Sequence, residues 1–130
     1  MIGLDTNVLV RYIAQDDQIQ SPVATTLIET LSVANPGFIT LVSLVELVWV
    51  MQRCYTATKK EILVILDTLL RTQEFSFENS ETVMQAMKLF AVPGADFSDC
   101  LIERSAYKAG CDFTVTFDAK AAKSAGMRLL

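Results

Sequence analysis

Short unbroken apolar runs alternate along the chain with longer segments whose apolar residues recur every three or four positions. The first pattern is expected of buried strands and the second of amphipathic helices. Ile2 to Leu4 is such a run, and Thr6-Asn7 then opens a helix through about Ala14. Ser21-Pro22 has the form of an N-cap followed by proline at the first helical position, predicting a helix to about Leu31. After the Asn35-Pro36-Gly37 turn, Phe38 to Leu41 reads as a buried strand. Ser43-x-x-Glu46 then has the pattern of a capping box that begins a helix through about Arg53. A second box, Thr58-x-x-Glu61, precedes Ile62, Leu63, Ile65, Leu66, Leu69 and Leu70, which recur at helical spacing along one face.

Further along, Phe75-Ser76-Phe77 is a weak strand signal, and Asn79 or Ser80 caps a helix carrying Val83, Met84, Met87 and Phe90. Val92-Pro93-Gly94 ends it, and Asp96 caps a helix from Phe97 to Ala109 that Gly110 closes. Phe113 to Phe117 is the clearest β-branched and aromatic strand, followed by a short Ala/Lys helix and a last strand at Arg128 to Leu130. No repeat, linker or low-complexity segment interrupts the series, so residues 1–130 are expected to form a single domain. Strands alternating with helices predict an α/β fold: three layers, α/β/α, around a mainly parallel sheet of four to five short strands.

Composition refines this picture. Apolar residues make up 52% of the chain and charged residues 20%, with a mean hydropathy of +0.36, so part of the apolar surface is expected to meet a partner. The longest apolar stretch, Phe38 to Met51, spans about 14 residues, short of the ~18 to 20 that cross a bilayer, and it contains Glu46. It reads as core. Leu44 to Met51, Trp49 included, is apolar on nearly every side if helical, and is therefore expected to be buried all round by core or interface. The start at Met1 shows no basic or apolar leader, which predicts a cytoplasmic protein without a membrane anchor.

A net charge of −4 argues against holding nucleic acid by bulk electrostatics, though acids neutralised by bound cations would soften that field. Arg11, Arg53, Lys59, Lys60 and Lys120 could meet a phosphate backbone but read as solvated surface side chains. The chain has three cysteines, Cys54, Cys100 and Cys111, without C-x-x-C spacing, and no histidine. Disulfides and structural zinc are not expected, and a Ser-His-Asp triad or a two-histidine nuclease is excluded. Neither G-x-x-x-x-G-K-[ST] nor G-x-G-x-x-G occurs. Hydrolytic chemistry would rest on carboxylates, metals or lysine.

Parallel α/β sheets carry their ligands outside the carboxyl ends of the strands. Asp5 follows the first predicted strand, Glu46 the second, Asp99 lies in the first turn of a later helix, and Asp118 follows the Phe113 strand, which places all four at that edge. Singly, each has a structural alternative: Glu46 and Asp99 as helix-start acids, Asp5 as an N-cap, Asp118 as a turn residue. Together they form a set that capping does not explain. Clustered carboxylates repel unless protons or cations neutralise them, and an all-oxygen set suits Mg²⁺.

The segments Ile2-Gly3-Leu4-Asp5-Thr6-Asn7-Val8-Leu9-Val10-Arg11-Tyr12, Ser43-Leu44-Val45-Glu46-Leu47, Ala95-Asp96-Phe97-Ser98-Asp99-Cys100-Leu101-Ile102 and Thr114-Val115-Thr116-Phe117-Asp118 resemble the four signature blocks of PIN-domain VapC toxins, in the family order. The resemblance implies an endoribonuclease dependent on Mg²⁺ or Mn²⁺. Its acidic site would be Asp5, Glu46, Asp99 and Asp118, with Thr6, Asn7 and Thr116 as polar neighbours. It implies Asp5 and Asp99 as direct metal ligands, Glu46 acting through water or on the nucleophile, and Asp118 completing the shell. Asp96 also matches a family position but is assigned here to the helix cap. The resemblance further implies a homodimer, an antitoxin partner, and tRNA or ribosomal RNA as substrate. Two other readings compete. One is a PIN-like module kept only for interaction; the other is an aspartyl-phosphate phosphatase, which is weak because Asn7 stands where D-x-D chemistry needs a second aspartate.

Overall fold

A computed structural model describes residues 1–130, which form two compact units, Met1–Glu78 and Asn79–Leu130. The first unit runs β1 (Ile2–Gly3), α1 (Thr6–Ala14), α2 (Gln20–Glu29), β2 (Gly37–Ile39), α3 (Leu41–Cys54), α4 (Lys59–Arg71) and β3 (Phe75–Phe77). Its strands form one parallel sheet in the order β1-β2-β3, with Ile2 opposite Gly37 and Gly37 opposite Phe75. Leu9, Ile39, Leu44, Leu47 and Ile62 are fully buried and supply its core. At Gly37 in β2 a Cβ would stand 2.7 Å from Leu4 Cδ1 and 2.8 Å from Leu31 Cδ1, so a larger residue there would make those leucine side chains shift.

The second unit runs α5 (Ser80–Phe90), α6 (Phe97–Lys108), β4 (Val115–Thr116), α7 (Ala119–Ser124) and β5 (Arg128–Leu129). Helices α5 and α6 pack together. At their junction Phe90 and Phe97 meet edge to face with ring centroids 5.7 Å apart. Strands β4 and β5 pair in parallel as a two-stranded sheet. The α/β class with parallel strands flanked by helices is thus observed, with five short strands divided between a sheet of three and a sheet of two. No helix is long and apolar enough to cross a membrane.

Several boundaries differ from the sequence expectation, each for a local reason. Helix α2 begins before Ser21, because the Asp17 carboxylate accepts the N–H groups of Ile19 and Gln20 at 3.0 and 2.7 Å. Ser21 instead donates its hydroxyl to the carbonyl of Arg11 at 2.8 Å. Leu41 belongs to α3 rather than to a strand: Thr40 is the N-cap, accepting the Ser43 N–H at 3.1 Å. Glu46 therefore lies in the second turn and is not a capping-box residue. Only Val115 and Thr116 of the Phe113–Phe117 segment are strand, since β5 matches them over two residues. Helix α3 is not buried all round either, because Trp49 and Val42 are 56% and 68% exposed.

Candidate active site

In the first unit Asp5 ends β1 in extended backbone and occupies the N-cap position of α1, yet its carboxylate makes no capping hydrogen bond. The structural alternative for Asp5 is therefore met only in position: the exposed side chain is left to solvent or a ligand. Thr6, the next residue, is buried with no hydrogen-bond partner for its hydroxyl, and Asn7 is exposed. The second acid arrives on α3. Thr40 caps that helix, and the buried Ser43 reaches back to the carbonyl of Leu4, immediately before Asp5, at 3.5 Å. Helix α1 packs on α3. Asp5 and Glu46 thus follow the carboxyl ends of two adjacent parallel strands, with Glu46 exposed and free of any capping duty.

In the second unit Asp96 caps α6 by accepting the Ser98 N–H at 3.4 Å, the role expected for it. Asp99 follows in the first turn, half-buried. Burial pushes its carboxyl above the ordinary aspartate range, with further upward pressure from Asp96 and Asp118 and a partial offset from Lys120. Asp118 is the N-cap of α7: its Oδ1 accepts the N–H groups of Lys120 at 2.9 Å and Ala121 at 3.4 Å. Its own N–H donates to Thr116 Oγ1 at 3.0 Å. The turn role of Asp118 is therefore real, and it spends one carboxylate oxygen while the other stays clear of the cap.

These donors suit a hard divalent cation. All are oxygens, and the pressure on Asp99 is of the kind that a nearby positive charge relieves. No three histidine, cysteine, aspartate or glutamate side chains within either unit stand close enough to hold a metal ion by themselves.

The PIN domain family profile matches residues 2–126. The chain is a PIN-domain protein. It is also similar to a VapC ribonuclease of Aquifex aeolicus (strain VF5), 25% identical over 114 residues that cover 88% of this chain and 84% of that one.

The sequence patterns did not mark two residues that set helix starts, Asp17 and Thr40, and gave Ser43 a different role. The Asp17 carboxylate accepts backbone N–H groups at the start of α2, Thr40 caps α3, and Ser43 ties α3 to the end of β1. The Thr40-x-x-Ser43 spacing is the signal for the α3 cap, and it competes in the sequence with the overlapping Ser43-x-x-Glu46 pattern. The basic residues mostly fit their surface reading. Arg11 donates to Gln20 at 2.7 Å and lies 3.8 Å from Asp16, and Arg53 stacks on Trp49 at 5.4 Å. Lys120 is different, because its charge acts on Asp99.

Proposed function

We propose that this protein is an endoribonuclease dependent on Mg²⁺ or Mn²⁺, the toxin of a toxin–antitoxin pair, and that residues 1–130 work as one functional domain. The continuous family match over residues 2–126 and the likeness to a VapC ribonuclease support the reading. The observation that carries it is Asp99: a half-buried carboxyl, pressed by Asp96 and Asp118, at the start of a helix. Such a group is unfavourable for the fold alone and favourable for binding a cation.

When bound, the divalent ion lowers the pKa of a coordinated water and offsets charge on the phosphate. Asp5 and Asp99 would hold it directly. Glu46, unencumbered on the second turn of α3, would bind through water or accept the proton of the attacking water. Asp118 would complete the set with its uncapped oxygen, its backbone steadied by Thr116. Thr6 and Asn7 would add polar support beside Asp5.

The partners follow the same reading. An apolar groove of the first unit lies between α1 and α2, with a volume of about 280 Å³ and Val8, Ile19, Val23 and Leu27 in its walls. It offers an antitoxin peptide an apolar seat. The exposed Val42 and Trp49 of α3 give a homodimer a contact surface. RNA substrates of the tRNA or ribosomal kind would be recognised by shape, since no base-reading motif is present.

The test is cleavage of RNA by the purified protein with Mg²⁺ or Mn²⁺, against EDTA and against Asp99→Asn. Metal-dependent cleavage that the variant lacks supports the assignment. A protein that cleaves nothing under any of these conditions leaves the interaction-module reading in its place.

A further inference from the structure

The segment around β4 exposes aromatic surface that the fold does not use. Phe117, immediately before Asp118, is 86% exposed, and Phe113 and Val115 are 48% and 47% exposed. Arg128 stands opposite Val115 in the register and lays its guanidinium over the Phe113 ring, 3.9 Å from the centroid. This is close stacking, which orients the cation and keeps it beside the Phe113 ring. Residues 113–130 carry three cationic side chains, Lys120, Lys123 and Arg128, against one acidic side chain, Asp118, in a chain whose net charge is −4. Phe113 and Phe117 therefore lie in a segment with more cationic than acidic side chains, beside the candidate acid Asp118.

We propose that Phe117, supported by the Arg128-stacked Phe113, is a platform for an unpaired RNA base next to the phosphate handled by Asp99 and Asp118. The proposal rests on the nuclease reading and deepens it by naming the ring on which an unpaired base would stack. Bases stack on exposed aromatic rings whatever their identity, and cations beside those rings meet the backbone. A protein partner is the less suitable occupant, because the buried centre of a protein interface excludes lysine, whereas Lys120 lies three residues from Phe117 on the first turn of α7. The placement also matches the chemistry. Asp118 is fixed by its cap to Lys120 and Ala121 and by its bond to Thr116, so the Phe117 backbone is anchored immediately beside the acid.

The experiment measures binding in EDTA, where cleavage cannot occur, using a labelled single-stranded oligoribonucleotide and the same sequence in a perfect duplex. Wild type, Phe117→Ala, Phe117→Leu and Phe117→Trp are compared, with melting temperatures to verify folding; a side chain so exposed is replaceable without loss of the core. Stacking predicts that Phe117→Ala weakens single-strand binding by on the order of five- to a hundredfold. It predicts that Phe117→Trp restores binding, that Phe117→Leu does not, and that duplex binding is the same in all four. Equal single-strand affinity in wild type and Phe117→Ala overturns the platform. So does full restoration by Phe117→Leu, which would mean simple apolar contact, or a loss of self-association in sedimentation with RNA binding unchanged, which would mean a protein interface. Cleavage with Mn²⁺ is measured separately. A wild type that cleaves but binds single strands independently of Phe117 loses the platform alone, and one that binds through Phe117 without cleaving loses the nuclease reading alone.

Discussion

The two pairs of carboxylates occupy equivalent positions in the sequence pattern and different physical states. Asp5 and Glu46 are exposed, and neither is engaged in a helix cap. Asp118 is pinned to the start of α7, and Asp99 is half-buried with its carboxyl pushed up by burial, Asp96 and Asp118. An acid after a strand or in an early helical turn is thus only an address. Whether it stores repulsion depends on what surrounds it, and in the second unit Asp99 does so.

The sharpest way to break the comparison is to remove charge from each side. Asp99→Asn and Asp5→Asn should each cut RNA cleavage by roughly a hundred- to a thousandfold while circular dichroism stays unchanged, because shape is kept and charge is lost. Cleavage at wild-type rate by both variants, at equal metal concentration, would falsify the site assignment. Glu46→Gln should cost less, about ten- to a hundredfold, if the residue acts through water. A loss as large as that of Asp99→Asn would place Glu46 among the direct ligands.

Metal addition compares the pairs without reference to substrate. A cation that binds only the folded protein stabilises it by mass action, about 2.7 kcal/mol at a hundred times its Kd. Mg²⁺ or Mn²⁺ should therefore raise the melting temperature saturably at matched ionic strength. The shift should shrink in Asp5→Asn and Asp99→Asn, and less in Glu46→Gln. An identical shift in wild type and all three variants points to a general salt effect and removes the metal from this account.

The smallest effect concerns pH in metal-free buffer. A carboxyl whose pKa is raised by folding from its ordinary 3.8 binds its proton more tightly in the folded state. Its stabilising contribution is full below 3.8 and is lost as pH rises through the raised value. Near neutrality the ionised Asp99 is a net cost. Asp99→Asn should accordingly flatten the fall in stability above that window and raise the melting temperature near pH 7 by roughly 2 °C. Asp5→Asn, at an exposed position, should raise it less. Calorimetric scans across the acid range distinguish the two, and an equal gain from both variants would show that the contrast between the pairs is not electrostatic.

Much of the fold was legible where the deciding interaction is local. The capping box of Thr58 and Glu61, the Asn79 cap and the Asp96 cap join residues two or three apart, so their helices start where the sequence places them. The same short range explains the misses. Asp17 competes with Ser21, and Thr40 with Ser43, and the winner is set by how the chain enters the helix, which the residue types alone do not encode. The candidate acids could be singled out from the sequence because strand ends and helix starts are local features. Their condition could not. Asp99 feels Asp118 from nineteen positions along the chain, Trp49 lies open on a helix that composition would have buried, and the Phe113–Phe117 run is strand only where β5 reaches it. Periodicity and caps are settled between near neighbours in sequence, whereas burial, repulsion and strand length are settled by residues that only folding brings together.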